Sequence, residues 1–206
     1  LVGSEMCIET GREQQQLADW LLKQGVTHII GSHPHVIQPM ELRTDSITRT
    51  QHAVVYSLGN FISNMSKVNT DGGLIFTLEL EKDTTTSTSP QVRVQRCGYN
   101  FVWTARPNFT KEKNYVLYPT DSTSISKLPE AARNHLNIFV KNSRKLLQQH
   151  NVGIKENKKN ADFNKIFRQI FAVLKIIPIF APRLRNDVNM VTVVQLVRAS
   201  DCGSEC

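Results

Sequence analysis

Cysteine is scarce: only Cys7, Cys97, Cys202 and Cys206 occur in 206 residues. Cys202 and Cys206 lack a second pair of ligands at zinc-finger spacing, and four cysteines are too few for a disulfide scaffold. Buried or incidental free thiols are the expected state. Long apolar runs are missing too, and none approaches the roughly 18 residues that a membrane-spanning helix needs. Acid falls short of base, 18 Asp and Glu against 25 Lys and Arg, for a net charge of +7. No stacking ladder of aromatic residues accompanies that excess, so nucleic acid is not an expected partner. The hydrophobic fraction of 40% and charged fraction of 21% suit one sizeable core, or a domain plus a tail. The chain opens on Leu1 with no basic n-region and apolar h-region, which says nothing about the compartment of its parent.

The most informative stretch is Gly31-Ser32-His33-Pro34-His35-Val36. It follows Val26 to Ile30, an apolar run that reads as a buried strand. A strand ending in a His-x-His loop can aim two imidazoles at one point, and imidazole nitrogen is the commonest protein ligand for zinc and similar metals. Pro34 limits how far the two directions vary, and Gly31 frees the backbone at the strand end. Two surface histidines in a turn are the alternative. Upstream, Thr10-Gly11-Arg12-Glu13 fits a capping box, with Thr10 as N-cap and Glu13 reaching back. Leu17, Trp20 and Leu21 then form an apolar stripe, and Gly25 stands where a helix-ending glycine belongs. Helix, glycine, strand and histidine loop make an α/β unit whose chemistry lies at the carboxyl end of the strand.

Three motifs occur in order: Gly3-Ser4-Glu5, then His33-Pro34-His35-Val36-Ile37-Gln38-Pro39, then Tyr56-Ser57-Leu58-Gly59-Asn60-Phe61. In that order and spacing the chain resembles the CapA family of capsule and poly-gamma-glutamate synthesis proteins over about residues 1–120. That family is similar to a branch of the calcineurin-like metallophosphoesterase superfamily. The resemblance implies an α/β fold, the C-terminal portion of a four-layer αββα sandwich, here followed by a basic helical tail. It also implies divalent metal ions of the Mn, Zn or Fe class, held in part by His33 and His35. Glu41, Asp45 and backbone carbonyls are candidate acceptors for the other ring nitrogens. By the same resemblance Glu5 orients water or acts as general acid/base, or else it is an exposed Glu before a helix. Asn60 lines the site through its amide or caps the turn that Gly59 makes, with the structural role preferred. His28, His52, His135 and His150 are assigned no chemistry.

The chain departs from the family pattern at its start. Leu1 and Val2 stand where His and Trp are expected, and Met6 replaces Tyr. The family's early motifs, a metal-bridging Asp and an Asn-His pair, would precede residue 1, so a C-terminal fragment is expected. Two histidines fall short of the three or four ligands of a working zinc centre. The polypeptide as given is therefore expected to bind metal poorly and to catalyse nothing measurable. The parent's reaction class, by resemblance, is metal-assisted hydrolysis or transfer at a phosphoryl or acyl group.

Beyond the histidine loop, 36–42, 53–56, 74–80, 92–97 and 115–118 read as strands, with Thr44-Asp45-Ser46 and Asp71-Gly72-Gly73 as turns. Pro129 opens a helix that runs to about residue 149, with Ala132, Leu136, Phe139, Val140 and Leu147 near one face. The expected domains are 1–120, the CapA-like part; 121–153, a helical extension; and 154–206, a basic tail. From Lys141 to Arg185 there are eleven Lys or Arg against Glu156 and Asp162. The stripe of Phe163, Ile166, Phe167, Ile170, Val173 and Leu174 beside basic residues suits an anionic membrane surface or a helix packed on the domain. Residues 194–206 resemble a transfer-RNA gene translated by mistake, against the competing reading of a terminal strand from Met190 to Val197.

Partners by resemblance are an anionic polymer or its precursor and membrane-bound synthase subunits, at the cell envelope. Two other hypotheses stand beside an enzyme. One is a non-enzymatic scaffold of a polymer synthase, whose basic stretch holds polymer or bilayer. The other is a gene fragment that does not fold.

Overall fold

The computed structural model describes residues 10–61, 63–65, 67–83, 91–111, 113–120, 123–157 and 189–193. Its first element is helix α1, Arg12–Lys23. The N-cap is Gly11, one residue later than the sequence predicts, and the Gly11 N–H donates to Gln14 Oε1 at 2.9 Å. Thr10 Oγ1 is buried without a hydrogen bond among the described residues, so the expected capping box shifts to Gly11 and Gln14. The helix ends as expected at Gly25, whose φ is +91°. The predicted stripe is corrected. Leu17 and Trp20 are exposed, and Ala18 is the residue α1 buries, with Leu22 packed half-buried beside it.

A three-stranded sheet follows, ordered β1 (Ile29–Ile30), β3 (Gln51–Val55), β2 (Met40–Thr44). The expected strand over 26–30 shrinks to its last two residues, and Val26 is exposed. β1 runs parallel to β3, while β2 runs antiparallel to it. Alternation along β3 buries both faces. Val54 and Tyr56 pack with Ala18 of α1, and Ala53 and Val55 enter the main core with Met40.

A second sheet is built on β4 (Gly72–Asp83) and the 15-residue β5 (Gln91–Ala105), paired antiparallel with a register shift between Glu79 and Leu80. β5 outruns the strand predicted over 92–97 because Phe101 and Trp103 continue its buried alternation. After it come a short helix α2 (Pro107–Thr110) and β6 (Val116–Pro119), which pairs with β5. Helix α3 (Glu130–His150) buries Ala132, Leu136, Phe139, Val140 and Leu147, the face the sequence predicts. β7 (Lys155–Glu156) pairs parallel with β5, and β8 (Asn189–Val193) pairs antiparallel with β4. A terminal strand thus exists over 189–193. The proposed membrane-facing helix and residues 194–206 lie outside the described residues.

The two sheets and α3 share one core, in which Leu74, Phe76 and Leu78 of β4 meet Tyr99, Phe101 and Trp103 of β5, and Phe139 packs edge-on against Phe101. Each fully buried Phe or Leu contributes about 1.5–3 kcal/mol relative to exposure. Backbone bonds also stitch the sheets together. Leu74 N–H donates to Leu58 O at 2.8 Å, and Asn60 N–H to Gly72 O at 3.0 Å. The whole is mixed α/β with two mixed sheets, consistent with part of an α/β sandwich.

Candidate functional site

Because β1 and β3 are parallel, their carboxyl ends lie at the same edge of the sheet. The segments leaving them are the histidine loop and Tyr56-Ser57-Leu58-Gly59-Asn60. Gly31 makes the junction possible. Its N–H donates to Val55 O at 2.7 Å, its carbonyl accepts from Leu58 N–H at 3.3 Å, and a Cβ there would lie 2.4 Å from Tyr56 O. No side chain larger than hydrogen fits that approach.

Within the loop His33 is exposed, Pro34 buried and His35 half-buried. His35 has φ +58°, a left-handed conformation uncommon outside glycine, though histidine is among the residues that tolerate it. The conformation follows directly on Pro34, whose ring fixes the preceding φ.

His35 Nδ1 lies 2.9 Å from Asn60 Oδ1. Asn60 is fully buried, and its Nδ2 donates to Thr70 O at 2.8 Å and approaches Met65 Sδ at 3.6 Å. Ser57 Oγ, not Asn60, accepts the Gly59 N–H in the turn where Gly59 has φ +73°. The amide of Asn60 therefore links three segments rather than capping its own turn. Of the acceptors suggested by sequence, Glu41 pairs with Arg43 at 2.6 Å. Asp45 accepts from the backbone of Ile47 and Thr48, which holds its carboxyl below the usual range. Neither serves the histidines.

Gln38 stands in the second motif with no role assigned from sequence, and it is fully buried. Its amide exchanges hydrogen bonds with Gln14 of α1, at 3.0 and 3.2 Å. A polar residue within an apolar motif run, Val36 to Met40, was the available signal. Arg43 ties the same elements from outside, donating to Asp19 at 2.6 Å and to Tyr56 OH at 2.9 Å. Burial, with the nearby Glu41 charge, pushes the Tyr56 phenol up to about 12.

The remaining histidines that matter are structural. His28 Nδ1 accepts the Ala53 N–H at 3.1 Å, and His52 Nδ1 lies 2.8 Å from Thr27 O. Burial, then the neighbouring His52, lowers the His28 pKa. Burial also raises the Cys97 thiol, which is free. Glu5 lies outside the described residues. Among the described residues no group of three or more His, Cys, Asp and Glu is placed to hold a metal ion.

The structure thus places a buried asparagine and a His-x-His loop at the ends of two parallel strands of an α/β scaffold. Residues 2–65 match the family described as bacterial capsule synthesis protein PGA_cap. The PGA biosynthesis protein CapA of Bacillus subtilis (strain 168) is 30% identical over 83 residues, 40% of this chain. That match spans 20% of the relative's length. No solved structure matches the chain.

Proposed function

We propose that the chain is part of a CapA-type protein for making an anionic capsule polymer, poly-gamma-glutamate or a similar one, at the cell envelope. In this reading the histidine loop belongs to a metal-dependent, hydrolase-like site. The observation that carries it is the contact between His35 Nδ1 and Asn60 Oδ1, since ligating histidines usually engage their second nitrogen in this way. His33 and His35 would hold a divalent ion of the Mn, Zn or Fe class. Such an ion supplies polarisation of a phosphoryl or acyl oxygen and a more acidic bound water. Two imidazoles leave the coordination short, so Glu5 or residues beyond this chain complete it. The chain's own contribution is orientation: Gly31, Pro34 and Asn60 set the direction of the loop. Calorimetric titration of the full chain with Mn²⁺ or Zn²⁺ tests this. Weak binding that disappears in His33→Ala and His35→Ala is expected, and identical isotherms for all three proteins would sink it.

A second reading is a non-enzymatic accessory subunit of a membrane-bound polymer synthase. It is supported by the surface of α3 where Lys141, Arg144 and Lys145 lie with Asn137 and Gln148. Binding to soluble poly-glutamate separates the two. Affinity that falls steeply with added salt favours the accessory role, because exposed charges are screened over about 10 Å at 0.1 M salt.

A further inference from the structure

We infer that Asn60 is a positioning residue that holds the neutral His35 ring in one tautomer, with the proton on Nδ1 and the lone pair on Nε2. The inference rests on the reading of His35 as a ligand only for its purpose; the tautomer itself follows from hydrogen bonds.

A backbone carbonyl can only accept. The Asn60 atom 2.8 Å from Thr70 O is therefore the NH₂ nitrogen, which fixes which way the amide faces. The opposite atom, Oδ1, then faces His35 Nδ1 at 2.9 Å. An amide oxygen can only accept as well, so the proton between them belongs to Nδ1. The neutral ring has one proton, and Nε2 is left bare. Bare Nε2 is the form that binds a cation or accepts a proton.

The amide cannot turn to suit the other tautomer. Asn60 is fully buried, its backbone N–H is bonded to Gly72 O at 3.0 Å, and it follows a Gly59 enclosed by the Gly72 and Gly73 backbone and the Ile37 side chain. Flipping it would set an oxygen against Thr70 O and an NH₂ against the ring. A residue serving only the turn would bond its own neighbours. Asn60 instead reaches 25 residues back and 10 forward. The chain therefore chooses the nitrogen before any ligand arrives.

The test is nitrogen NMR of the metal-free full chain with labelled histidine, at about pH 8, where an ordinary histidine is neutral. His35→Gly assigns the resonances. The wild type should show His35 with Nδ1 protonated and Nε2 bare. Protonation at Nε2 would overturn the inference with no variant needed. Asn60→Leu should release the ring to the Nε2–H form favoured in water, and a ring that stays Nδ1-protonated there would overturn the inference. Should the leucine variant fail to fold, the wild-type spectrum decides. Mn²⁺ affinity is read separately. A fixed tautomer with no Mn²⁺ binding supports the positioning role and removes the metal reading. Where the wild type does bind, Asn60→Leu should weaken binding about 10–100-fold.

Discussion

Gln14 and Gln38 exchange two amide hydrogen bonds, and through them helix α1 is fastened to the segment that carries both candidate ligands. Gln38 is wholly inside the protein, so its amide cannot turn to water for a replacement.

Gln14→Ala should therefore cost about 1–3 kcal/mol, the penalty of shortening the hydrogen bonding of a buried amide. Gln15→Ala, at an exposed position beside it, should cost under about 0.5 kcal/mol. Urea denaturation of the two variants measures the difference, and equal midpoints would refute it.

The left-handed backbone at His35 separates two truncations. His35→Gly and His35→Ala both lose the imidazole and its bond to Asn60. Glycine alone relieves the φ of +58°. The glycine variant should be the more stable of the two by about 1 kcal/mol. A more stable alanine variant would mean that the loop relaxes out of this conformation.

Two glycine substitutions should differ sharply. At Gly25 a Cβ meets nothing within 4 Å, so Gly25→Ala should cost about 1 kcal/mol for its positive φ alone. At Gly31 the Cβ would press on the carbonyls of Tyr56 and Val55, which belong to the backbone beside β1 and cannot give way. Gly31→Ala should cost well over twice as much and should loosen the β1–β3 pairing. Thermal unfolding, with hydrogen exchange at the Gly31 amide, reads both effects.

His28 sets a pH dependence. Burial, then the neighbouring His52, lowers its pKa, so the folded protein favours the neutral ring, whose Nδ1 accepts the Ala53 N–H. The unfolded chain, with an ordinary histidine near 6.5, binds its proton first as pH falls. Stability from this group is full above about pH 6.5 and declines below it, toward the lower folded pKa. His28→Gln should flatten that part of the stability curve between about pH 7 and 5. An unchanged slope would show that another group governs it.

Much of this architecture was legible in the residues. The face of α3 and Gly25 at the end of α1 rest on local pattern, and local pattern survives folding, whereas only Ile29 and Ile30 remain of the strand expected before the histidine loop. The stripe on α1 misled because Leu17 and Trp20 are spaced for burial, yet the sheet offers α1 only the Val54 and Tyr56 face, which Ala18 and Leu22 meet. The partner of His35 was hidden for a different reason. Glu41 and Asp45 are near in sequence but are satisfied by Arg43 and by their own turn. Asn60 is 25 residues away and arrives only because β1 and β3 run side by side in the same direction.

The backbone seam from Leu58 and Asn60 to β4 also bears on the order of events during synthesis. Residues 33 and 35 leave the ribosome before Asn60, and the bonds that fix Asn60 come later still, from Thr70 and Gly72, with the next stitch from Leu74. The histidine loop is therefore completed late. Until some forty further residues have emerged, the nascent chain holds two imidazoles without a set direction, and contacts this far apart in sequence are the slower ones to form.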